Sequence, residues 1–80
     1  MTVDELLQPI LNTTVPLKLT DTRQTIPTWD SLAQMTIIAA IEDLIGADLS
    51  IAEVLSIKSV ARVVEVCRSH GVELAVQQAG

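Results

Sequence analysis

Thr28-Trp29-Asp30-Ser31-Leu32-Ala33-Gln34-Met35-Thr36-Ile37-Ile38-Ala39-Ala40-Ile41-Glu42-Asp43-Leu44-Ile45-Gly46 is the stretch on which the fold turns. Leu32, Met35, Ile38, Ile41 and Ile45 recur at steps of three and four, which is the spacing of one helix face. Gly46 supplies the stop, because it takes up the left-handed backbone that ends a helix without a Cβ penalty. Thr28, Asp30 and Ser31 all have side chains that cap a helix start. The pattern predicts a helix from about Ser31 to Ile45.

The same spacing recurs on both sides of this stretch. Before it, Thr2 and Glu5 form a capping box, followed by Val3, Leu6, Leu7, Ile10 and Leu11 on one face. Pro9 interrupts that run and removes a helix hydrogen bond, at about 3 kcal/mol or more, so a kink or a shortened helix is expected. Residues 12–30 are rich in Thr, Pro and Asp and read as a long connection. Val15, Leu17, Leu19 and Ile26 are expected to pin it to the core. After Gly46, a second box, Ser50 with Glu53, opens a short helix from about Ile51 to Leu55. A last helix starts after Ser59, turns Val60, Val63, Val64 and Cys67 inward and ends near Gly71. The reading is all-α: helix, long loop, helix, short helix, helix. Residues 1–71 form one domain, with 72–80 expected as a tail that frays.

The 80 residues are 49% hydrophobic with a single aromatic, Trp29, which suffices for one core and excludes a second domain. The net charge of −5 argues against nucleic acid, which is bound by neutralising phosphates. It argues equally against an anionic membrane surface, and no apolar run is long enough for membrane insertion. One cysteine forms no internal disulfide, so a reducing, cytoplasmic setting and a monomer are expected. One His and one Cys make no zinc site, and neither a glycine-rich phosphate loop nor a nucleophile elbow is present. No pair of catalytic groups is suggested, so the chain is not expected to be an enzyme. His70 reads as a surface residue near a helix end, and Cys67 as a small apolar group.

Two features remain. Ser31 places a hydroxyl at the mouth of the strongest helix, where first-turn N–H groups and the helix dipole favour an attached negative group. A plain cap is the alternative for it. From Gln24 to Ile57 there is no Lys or Arg, while Asp30, Glu42, Asp43, Asp48 and Glu53 occupy the same stretch. That one-sided charge suits basic partner surfaces.

Together these residues resemble the acyl carrier protein family over about residues 26–66. The match rests on Asp30-Ser31-Leu32, on Met35, Ile38 and Ile41-Glu42 along the helix, on Ile45-Gly46, on Leu49-Ser50, and on Ser59-Val60. The sequence departs from the family at Thr36, often Glu, at Ile45, often Phe, and at Ser50, often Pro or Asp. The resemblance implies a four-helix bundle with a long first loop and a short third helix. It also implies that a phosphopantetheinyl transferase moves 4′-phosphopantetheine from coenzyme A onto Ser31. The arm then carries acyl groups as thioesters to fatty-acid or polyketide enzymes with basic patches. Asp30, Leu32, Glu42 and Asp43 would meet those partners. Met35, Ile38, Ala39, Leu55, Ile57, Ala61 and Val64 would shelter an acyl chain. An aminoacyl or peptidyl carrier is a close alternative, although that group usually shows Gly-Gly-x-Ser-Leu, which Thr28-Trp29-Asp30-Ser31-Leu32 does not match. An unmodified helical interaction module is a third reading.

Overall fold

Four short helices, each opened by a side-chain cap, make up the fold in a computed structural model that describes residues 1–76. α1 spans Val3–Leu11, α2 Ser31–Ile45, α3 Ile51–Ser56 and α4 Val60–Ser69. Both expected capping boxes are present. The Thr2 hydroxyl accepts the Glu5 N–H at 3.1 Å while the Glu5 carboxylate accepts the Thr2 N–H at 2.8 Å. Ser50 and Glu53 repeat the arrangement at α3.

The Thr2 N–H, then the Thr2 hydroxyl, hold the Glu5 carboxyl below the ordinary glutamate range. A carboxyl depressed in the folded state stabilises fully above its unfolded value, about pH 4.3, and loses that contribution as the pH falls through its folded value. The melting-temperature gap between wild type and Glu5→Ala should therefore be widest near neutrality and narrow below about pH 4. A gap that stays constant from pH 6 to pH 3 would detach the box from α1 stability.

α1 runs through Pro9 and covers its whole apolar pattern, so of the two expectations, a kink or a shortened helix, the shortening does not occur. Only two residues follow Pro9 before the end. Asn12 then turns left-handed at φ 53°, and the N–H groups of Asn12 and Thr13 both reach the Gln8 carbonyl.

α2 packs against both α1 and α4. Its buried stripe is Ala33, Ile37 and Ile41, spaced by four, with Ile38, Leu44 and Ile45 half-buried beside it. This corrects the expected face: Leu32 and Met35 are 75% and 70% exposed. α2 is apolar almost all round, so spacing alone allowed two inward faces, and the positions of α1 and α4 select one. Leu32, Met35, Thr36, Ala39 and Asp43 share the outward side.

α1 contributes Val3, Leu7 and Leu11 to the core, and α4 contributes Val60, Val63, Val64, Val66 and Cys67. The long connection adds Leu17, Ile26 and Trp29. Val15 and Leu19, also expected to pin it, are exposed instead. Their places are taken by polar ties: buried Asp4 accepts the Leu17 N–H at 2.9 Å, and the Val60 N–H donates to the Asp21 carbonyl at 3.0 Å. Burial raises the Cys67 thiol above its ordinary value, as suits its place in the core. Within the stretch expected as a tail, Leu74 is buried and Ala75 pairs with the chain start, the Val3 N–H donating to its carbonyl at 2.9 Å. Residues 77–80 of that stretch lie outside the described residues.

Candidate functional site

The sequence leaves the first turn of α2 with three possible caps, and the structure uses Asp30. Its backbone is extended, at φ −96° and ψ −171°, and its carboxylate accepts the Ala33 N–H at 2.9 Å. Ser31 is therefore the first helical residue rather than the cap, and its side chain is exposed. The chain has five serines. Ser50 and Ser59 hydroxyls accept helix-start N–H groups, while those of Ser56 and Ser69 donate to carbonyls one turn back. Among the five serines, Ser31 is the one whose hydroxyl has no hydrogen-bond partner among the described residues. Its own N–H and that of Leu32 precede the helix ladder and face the same end of the helix dipole.

Those properties fit a phosphoester. The hydroxyl is accessible, it holds no structural bond that modification would break, and open amides and a positive dipole end stand where the phosphate would sit. Asp30 lies beside it, so its charge would oppose an attached phosphate, while its carboxylate caps the turn.

Of the residues expected to meet partners, Asp30, Leu32 and Asp43 are exposed near or along the outward side of α2. Glu42 is half-buried, and its carboxylate accepts the Leu49 N–H at 3.0 Å, so it holds the turn after α2. Of the residues expected to shelter an acyl chain, Ile57 and Val64 are buried and Ile38 and Ala61 half-buried. Met35, Ala39 and Leu55 are exposed, with Met35 and Ala39 on the side of α2 away from the core. Ala39, with Glu42 and Asp43, lines an open cleft of about 520 Å³ at the end of α2, and a cleft of about 320 Å³ lies in the long connection, between Val15-Pro16 and Pro27-Thr28.

Sequence reading missed the polar ties. Gln34 bridges Trp29 and Ile57. Glu53, beyond its box, meets His70 at 2.8 Å, which joins α3 to the end of α4. The Ser50 N–H first, and His70 second, hold the Glu53 carboxyl below its ordinary value. The only signal for Gln34 was an amide on an otherwise apolar helix flank.

The sequence matches no family model and no curated protein. By structure, the chain is similar to a protein from Mycobacterium tuberculosis described as a putative acyl carrier protein. The superposition has a TM-score of 0.70 at 22% sequence identity and covers 84% of this chain and 89% of that one. The four helices thus have the acyl-carrier type of fold, with a long first loop and a short third helix. Among the described residues, no helix is long and apolar enough to cross a membrane.

Proposed function

We propose that the protein is an acyl carrier protein, cytoplasmic and without catalytic activity of its own, bearing 4′-phosphopantetheine on Ser31. The single observation that carries this reading is the Ser31 hydroxyl: exposed, unbonded and first in α2, on a fold of the acyl-carrier type. Ser31 Oγ attacks the pantetheine-side phosphorus of the coenzyme A pyrophosphate; the new phosphoester forms as the bond to the other phosphate breaks, 3′,5′-ADP leaves, and the serine proton passes to the transferase. When bound, the arm supplies a terminal thiol that holds acyl groups as thioesters for fatty-acid or polyketide enzymes. Asp30 keeps the Ser31 turn in place, and the outward side of α2 meets the partners.

Incubation with coenzyme A and a broad-specificity phosphopantetheinyl transferase tests this. Intact mass spectrometry should show one added arm per chain, and a protein that gains nothing would overturn the proposal. A loading screen with acyl and aminoacyl donors then separates acyl carriage from aminoacyl carriage.

Recognition should combine apolar contact with steering. Exposed charges act over about 8 Å at physiological ionic strength. The transferase rate should therefore fall as salt rises, and Asp43→Lys should slow it further. Leu32→Ala should lower the rate at every salt concentration. If neither salt nor Asp43→Lys changes the rate, the apolar residues carry recognition without the charges. Glu42→Lys is the poorer probe because it also releases the Leu49 N–H.

A further inference from the structure

Gln34 joins two parts of the molecule that lie 23 positions apart in the chain. Its amide oxygen accepts the Trp29 indole Nε1–H at 2.7 Å, and its amide nitrogen donates to the Ile57 carbonyl at 2.9 Å. The two partners fix which end of the amide is which, because an indole N–H only donates and a carbonyl only accepts. Trp29 precedes Ser31 by two residues and Gln34 follows it by three, so this bond closes a ring of chain around the Ser31 turn. Trp29 and Ile57 are both buried, which shields the bonds from competing water.

At the other end, Ile57 caps α3, a helix with no buried residue of its own. α3 is held by polar ties, from Arg62 Nε to Ser56 Oγ at 2.9 Å and between Glu53 and His70 at 2.8 Å, by half-buried Val54 against the core, and by buried Ile57 behind it. Such an element is more easily shifted than one seated in the core. The Gln34 amide is planar and rigid. A shift of the Ile57 carbonyl turns the amide, and the oxygen that holds Trp29 turns with it. We propose that Gln34 is a positioning residue that ties the presentation of the Ser31 hydroxyl to the seat of α3; this rests on Ser31 being the attachment point.

Trp29 is the only tryptophan, so its indole N–H gives a single, unambiguous NMR resonance. His70→Ala loosens α3 without touching Trp29. It should shift the indole resonance in the wild-type background and leave it unmoved in Gln34→Leu. Gln34→Glu keeps the acceptor for the indole but lacks the donor for Ile57. Its indole resonance should stay near the wild-type position and no longer respond to His70→Ala. With transferase, folded Gln34→Leu should lose about tenfold in kcat, near the scale of one hydrogen bond, with KM nearly unchanged. A wild-type kcat in folded Gln34→Leu would overturn the proposal. So would an indole that responds to His70→Ala equally with and without Gln34. If Gln34→Leu does not fold, the Gln34→Glu cycle decides. A wild-type protein that accepts no arm defeats the Ser31 reading instead, and the indole cycle, which needs no arm, still decides the link.

Discussion

Ser31→Ala should abolish modification by a phosphopantetheinyl transferase while leaving the fold intact. In the proposed reading the hydroxyl oxygen is the reacting atom, so its removal leaves nothing to carry the phosphoester, and the expected loss is complete. The fold should not respond. Asp30, not Ser31, accepts the Ala33 N–H, and alanine is at least as good as serine in a helix. A surface change of this kind is worth no more than about 0.5 kcal/mol either way. The other serine hydroxyls are engaged in caps or in bonds to carbonyls one turn back, so none stands ready to substitute. The check is intact mass after incubation, paired with thermal melts followed by circular dichroism. A folded Ser31→Ala protein that still gains the arm would move the attachment elsewhere.

The largest effect on stability is expected from Ile37→Ala. Ile37 is fully buried at the centre of α2, the helix that packs on both α1 and α4. Truncating a buried isoleucine to alanine costs about 2–5 kcal/mol, because transfer energy is lost and a cavity remains. Small domains have total stabilities of about 5–15 kcal/mol, and one of this length falls in the lower part of that range. Ile37→Ala should therefore remove a large share of the stability and lower the urea midpoint accordingly. Met35→Ala, two residues away on the exposed side, should change it by no more than about 0.5 kcal/mol. Similar losses at both positions would contradict the orientation of α2.

The contrast between Ile37 and Met35 also shows where the sequence was readable. Local chemistry was legible: both capping boxes, the Asp30-Ser31 start, the left-handed stop at Gly46 and the Ser59 start of α4 all depend on residues within a few positions of one another. The orientation of α2 was not legible, because Leu32, Met35, Ile38, Ile41 and Ile45 satisfy helical spacing as well as Ala33, Ile37 and Ile41 do. Only the tertiary placement of α1 and α4 separates the two stripes. The same holds in the long connection, where Leu17 and Ile26 are buried but Val15 and Leu19, equally apolar, are not. Asp4 with Leu17, Gln34 with Ile57 and Glu53 with His70 join residues 13 to 23 positions apart, a distance at which spacing carries no signal. Ser31 was singled out by its local setting, as a hydroxyl at a helix start. That it is not the cap is a fact about how the Asp30 side chain turns.

The most direct measurement is the mass of the protein purified from its native cell, followed by fragmentation to locate any added group. The account predicts a phosphopantetheine arm, with or without an acyl group on its thiol, and fragment ions that place it on Ser31. Protein that is wholly unmodified, or that bears the arm on any other residue, would contradict it.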